Sequence, residues 1–204
     1  MHQPALPRLG AACGAIFAIV LTIAAGDGSQ PFSTARAVVG VAAIALALPF
    51  IAYLCSVLRQ AEGPDGWLAS TALAAGIGGI VLKLGSVVPE LAVHRAHLAA
   101  GTPLKAAFTA IGDGATIISL YPLALFCAAV AIVALRTRAL PRWLAAGAAI
   151  TAAALVINGA FLSAAFVPAL LLFLLWTVLT SVYLLRQSWR RPPPAARMEA
   201  VAHV

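Results

Sequence analysis

Charge is scarce in this chain. Only 9% of its 204 residues are charged, while 63% are apolar and the mean hydropathy is +1.01. A soluble domain is typically about a quarter charged and about half apolar. A water-soluble fold of this size needs far more polar cover than that. The composition therefore excludes a soluble enzyme, a nucleic-acid-binding domain and a disordered protein, and leaves a polytopic membrane protein.

Cysteine is rare too. Cys13, Cys55 and Cys127 all lie within apolar runs, with no CxxC spacing and no neighbouring histidine. An odd, widely spaced set does not build a disulfide framework, so the three read as small packing residues. Acidic residues number six, and lysine is limited to Lys83 and Lys105 among 13 basic residues. That arginine bias, with abundant alanine and glycine, points to a GC-rich bacterial genome. His2, His94, His97 and His203 all lie outside the deep apolar stretches, so paired transmembrane histidines cannot hold a haem. A phosphate-binding loop, a nucleotide fingerprint and a Ser-His-Asp order are all missing. No span carries a second carboxylate beside Asp113, which excludes an aspartyl dyad. No internal repeat is visible, inverted repeats included.

Long apolar runs are what the chain does have. Six are long enough to span, at about 9–26, 36–58, 67–89, 106–135, 143–164 and 167–186. A spanning helix needs roughly 20 apolar residues. The runs are continuously apolar, without strand alternation, and a helix satisfies its own backbone groups in lipid. The expected fold is all-α, a six-helix transmembrane bundle over residues 1–186. A disordered cytoplasmic tail containing Pro192-Pro193-Pro194 follows over 187–204. The breaker cluster Gly26–Pro31, the stretch Gln60–Gly66, the basic hinge Arg136–Arg142 and a tight hairpin around Ser163–Pro168 connect the spans. Pro49 and Pro122 lie inside spans and are expected to kink them.

The basic residues give an orientation. With the N-terminus inside, Arg8, Arg59, Arg136, Arg138, Arg142, Arg186, Arg190, Arg191 and Arg197 are cytoplasmic, and only Arg36, Arg95 and Lys105 are outside. This asymmetry predicts both termini in the cytoplasm. Arg186, Arg190 and Arg191 then act as positive-inside anchors. Trp67, Trp143 and Trp189 flank spans, as an interfacial belt does. The first run, with Arg8 before it and Ala24-Ala25-Gly26 after it, also has the form of a signal peptide; it is read here as a retained helix. Gly10 and Gly14 form a GxxxG pair within it.

The strongest chemical signal is a pair of ionisable residues inside spans. Lys83 lies six residues before Pro89 and Asp113 eight after Lys105. On antiparallel helices both then sit about 9–12 Å below the outer boundary. An isolated charge in hydrocarbon costs several kcal/mol, so the two are expected to pair or to line a wet cavity. Gly76, Gly79, Lys83, Ser86, Glu90 and His97 fall on one helical stripe. Thr109, Asp113 and Thr116 fall on another, with Lys105 a further turn outward. The two stripes are expected to meet. Asn158, alone in the fifth span, packs between helices or bonds toward Asp113. Tyr121, beside Pro122, is placed to bond a freed carbonyl.

Between these spans, residues 90–105 form the longest connection. They are read as a short amphipathic helix or as an extension of the third span past Pro89, with Gly101 ending a turn before Pro103. Glu90, His94 and His97 form an E-x3-H-x2-H string there. Imidazole and carboxylate suit zinc, but three ligands at this spacing are weak metal candidates.

The runs Leu82–Ser86, Ile111–Ala115 and Leu120–Ala124, and above all the hinge Leu135–Leu144, resemble a group of actinobacterial integral membrane proteins known only as a domain of unknown function. The resemblance covers about residues 10–190. It implies a small helical bundle in the plasma membrane, with no substrate, cofactor or catalytic residue attached.

The expected function is therefore that of a non-enzymatic integral membrane protein, structural, regulatory or partner-binding. Its partners are the lipid bilayer and either another protein or a second copy, with no nucleic acid and no cofactor. A small proton-coupled carrier using Lys83 and Asp113 is the alternative. A metal-dependent enzyme of the outer face is a weaker third.

Overall fold

The protein is described here by a computed structural model covering residues 5–25, 34–64, 66–99, 101–161 and 167–190. Among these residues seven helices follow one another: α1 Ala5–Ala25, α2 Thr34–Glu62, α3 Trp67–Gly85, α4 Val87–Arg95, α5 Pro103–Thr137, α6 Arg142–Ala160 and α7 Val167–Arg190. No strand occurs among the described residues. The breaker cluster, the last hairpin and the chain beyond Arg190 lie outside them.

Five helices are long and apolar enough to cross a bilayer, and α1 carries a shorter apolar stretch over Arg8–Ile23. The chain is a multi-pass membrane protein. Its outward faces agree with this: Val38, Ile77, Val81, Ile118, Leu125, Ile132, Ile150 and Leu175 are exposed large apolar side chains on successive helices. In water such a continuous patch would drive association; against lipid it costs nothing.

The helices close into a ring. Each packs on its neighbour in the order α1, α2, α3, α5, α6, α7, and α7 returns to α1, while α2 also reaches α5 across the centre. Phe50, Ile51, Leu54, Phe126, Leu144 and Leu155 fill the interior. Small residues let the backbones approach, the usual device where lipid removes the hydrophobic drive between helices. Gly14 of α1 faces Phe50 and Ser181 so closely that a Cβ there would stand 2.5 Å from the Phe50 ring. The GxxxG pair thus faces α2 and α7, and α1 is part of the core. Two buried hydroxyls bond within their own helix: Thr151 donates to the Gly147 carbonyl and Thr177 to that of Phe173, each at 2.8 Å. Trp176 is the one buried tryptophan; its indole donates to the Leu144 carbonyl at 3.0 Å and ties α7 to α6. Trp67, Trp143 and Trp189 are exposed.

The loops obey local chemistry. Gly63, at φ 95°, ends α2, with its N–H on the Arg59 carbonyl at 3.1 Å. The Glu62 carboxylate then accepts from Leu68 N–H at 3.3 Å and Ala69 N–H at 2.9 Å. The last residue of α2 thereby caps the orphan amides of α3. At the basic hinge Arg138 takes φ 57° and its N–H bonds the Ala134 carbonyl at 2.9 Å, in the place where glycine is usual. The last helix runs on to Arg190, past the expected end at 186, and its C-terminal turn lies against α1 through the Arg8 guanidinium, 4.6 Å above the Trp189 ring.

The third span differs most from expectation. It ends at Gly85, not Pro89, and a second helix restarts after Ser86. Proline explains the break. Pro89 has no N–H for the Gly85 carbonyl, and its ring would strike that carbonyl in a continuous helix. In the first turn of a new helix neither matters. Pro49 and Pro122, by contrast, lie inside uninterrupted helices. Tyr121 does not serve a freed carbonyl; its ring lies over Gly159 of α6, 3.0 Å from where a Cβ would stand.

Candidate functional site

The break at Ser86 shapes one end of the bundle. The α4 helix crosses over the start of α5, and the two enclose a cleft with the last turn of α3. This end lies opposite the Arg136–Arg142 hinge, because α5 runs from one to the other. Gly112 permits the close approach: a Cβ there would be 3.2 Å from the Ser86 carbonyl oxygen.

The cleft has a volume of about 610 Å3, within the usual range for small-molecule sites. Lys83, Ser86 and Thr116 line its inner end and are half-buried or buried. The Lys83 ammonium donates to Thr116 Oγ1 at 3.1 Å, and Ser86 Oγ donates to the Lys83 carbonyl at 2.7 Å. Glu90, His94 and His97 form one wall of the mouth, and Thr109 and Asp113 the other; all five are exposed. Lys105 stands further along α5. Its amide bonds the Thr102 side chain at 3.4 Å, an N-cap followed by Pro103 at the first helical position.

The two predicted stripes thus meet, but the expected ion pair does not form. Lys83 bonds Thr116, and no contact within 4 Å joins it to Asp113. The reason is register. Ser86, at the end of α3, lies against Gly112 and not against the start of α5, so Lys83, about one turn inward on α3, comes level with Thr116 and not with Asp113. Asp113 is exposed and lines the mouth of the cleft.

The metal candidates do not converge. Among the described residues, no three His, Cys, Asp or Glu side chains come together around a point that could hold an ion. The E-x3-H-x2-H string assumed one continuous helix. Instead α4 ends at Arg95, and His97 takes φ 50°. The Leu98 N–H bonds the Val93 carbonyl and the His97 N–H that of His94, both at 3.2 Å. This closure turns His97 off the helical stripe. Gly101, at φ 83°, makes the following turn.

Asn158 is buried in α6 and does not line the cleft. Sequence reasoning also missed the apolar part of the lining: Val87, Val93, Leu98 and Phe108. Apolar residues carry no signal in an apolar chain. It missed Gly112 as well, although Lys105, Thr109, Gly112 and Thr116 recur at helical spacing.

Below the cleft the bundle closes. One turn beyond Lys83, Gly79 packs on Leu123; a Cβ at Gly79 would be 2.7 Å from Leu123 Cγ. Ile80, Ser119 and Leu120 are buried at the same level. The site is a blind cleft with walls of mixed polar and apolar residues and a packed floor.

No family model, curated protein or solved structure matches the chain. The reading of function rests on the chemistry of the cleft.

Proposed function

We propose that this chain is a ligand-recognising, non-enzymatic protein of a bacterial plasma membrane, with a regulatory or partner-binding role. The observation that carries the reading is the blind cleft. Charged and hydroxyl-bearing side chains converge on an open space of about 610 Å3, while the next turn inward is sealed by Gly79 against Leu123. Such a site can hold a small molecule, but it offers no continuous polar path to the far side. The arginine asymmetry supports an orientation with both termini in the cytoplasm, which sets the cleft on the outer face.

The competing reading is a proton-coupled carrier. It draws on Lys83 and Asp113 in one cleft and on Pro49 and Pro122 within helices that could flex. Proteoliposomes separate the two. With a pH-sensitive dye inside and an imposed proton gradient, the protein should add no flux over empty vesicles. A proton flux that Asp113→Asn abolishes would overturn the binding-only role in favour of the carrier.

A further inference from the structure

The cleft carries four fixed charges of both signs: Lys83 and Lys105, Glu90 and Asp113. None of them forms an ion pair with another within 4 Å. Two positive and two negative groups therefore face one space without cancelling by contact. A simple anion drawn to Lys83 meets two carboxylates nearby, and a simple cation drawn to Asp113 meets two ammonium groups. For either ion the attractions and repulsions are comparable and largely offset one another. A molecule bearing both charges gains at both ends.

The register fixes their separation. Lys83 is held level with Thr116 by the 3.1 Å bond. Asp113 stands three residues earlier on the same helix, about 4.5 Å of axial rise away. The hydroxyl of Thr116 stands beside the Lys83 ammonium to share an anionic group. Glu90, on the facing wall, adds a second carboxylate near the mouth. Val93, Leu98 and Phe108 supply apolar contact beside these charges.

We infer that the cleft binds a zwitterion whose anionic group sits on Lys83 and Thr116 and whose ammonium sits between Asp113 and Glu90, with a phosphoethanolamine group as the matching chemistry. Its two-carbon linker sets the charges about one helical turn apart, further than in an α-amino acid. The group can arrive on a membrane lipid or as a free solute. This inference rests on the ligand-binding reading above and adds the class of ligand.

The test uses the full chain in dodecyl maltoside micelles. Affinity is measured by thermophoresis for dihexanoyl-phosphatidylethanolamine, O-phosphoethanolamine and dihexanoyl-phosphatidylglycerol. The last keeps the phosphate and the chains but lacks the ammonium. At least one phosphoethanolamine compound should bind roughly tenfold or more tightly than the phosphatidylglycerol, the worth of one charge-assisted hydrogen bond. Asp113→Asn, isosteric and exposed, should bring that ratio close to one, and Lys83→Met should weaken both classes. Tight binding of the lipid alone marks a lipid headgroup site; equal binding of the free compound marks a solute site. Phosphatidylglycerol binding as tightly as phosphatidylethanolamine, and still dependent on Lys83, would overturn the zwitterion while leaving a ligand cleft. No binding of any compound would overturn both.

Discussion

Adding a single methyl group at Gly79 tests the floor of the cleft. An Ala Cβ there stands 2.7 Å from Leu123 Cγ, 2.8 Å from Cδ2 and 3.2 Å from the Leu123 backbone nitrogen. Carbon pairs prefer about 3.5–4.0 Å. The side chain can turn aside, but the backbone nitrogen moves only if α5 moves. Overpacking of this kind costs about 1–3 kcal/mol. The gain in helix propensity from Gly to Ala, up to about 1 kcal/mol, opposes it. Gly78 provides the control, because a Cβ there meets nothing within 4 Å. Both substitutions carry the same propensity gain on the same helix, so their difference isolates the α3–α5 contact. Gly79→Ala should lie below Gly78→Ala by about 1–3 kcal/mol. At roughly 2–4 °C per kcal/mol for a chain of this size, the gap in apparent Tm is about 2–12 °C, read by thermal unfolding in one detergent. Equal Tm values for the two variants would refute the close packing and with it the sealed floor.

Three further outcomes follow from the caps and the buried indole. Glu62→Ala removes the carboxylate that accepts from Leu68 and Ala69; it should lower stability by about 0.5–2 kcal/mol, as loss of an N-cap does, whereas a distant surface Glu90→Ala should not. Arg138, at φ 57°, should rank Gly at or above Arg and Arg above Val in apparent Tm, with Val lower by about 1 kcal/mol or more, since a β-branched residue is worst there. Trp176→Phe loses the donor to the Leu144 carbonyl and should cost about 0.5–1.5 kcal/mol, measurable in the same melts.

Much of this architecture was legible because lipid simplifies the code. A continuously apolar run in hydrocarbon has only the helix open to it, so all six long runs appear as helices near their expected places. The Gly76–Lys83 stripe announced the α3–α5 contact for the same reason: small residues are visible where everything else is bulky. The break at Ser86 was harder. Its cause, Pro89, was in plain view, but hydropathy runs smoothly across it and hides the end of α3. Nothing in the sequence sets Ser86 against Gly112, the contact that brings Lys83 level with Thr116 and not with Asp113. His97 was misplaced because a non-glycine residue at positive φ leaves no mark in sequence. The apolar walls of the cleft, Val93, Leu98 and Phe108, were invisible because they resemble the rest of the chain.

Reagent access to the cleft and to the layer beneath it decides the central claim. Cys13, Cys55 and Cys127 are first replaced by alanine, and single cysteines are then placed at Asp113, Thr116 or Leu123. A membrane-impermeant thiosulfonate is applied to intact cells and, separately, to inverted membrane vesicles. The account predicts rapid modification of the cysteine at 113, slower modification at 116, none at 123, and reaction from the outer side alone. Modification at 123, or at 113 from both sides, would mean a path through the bundle and would contradict a blind cleft.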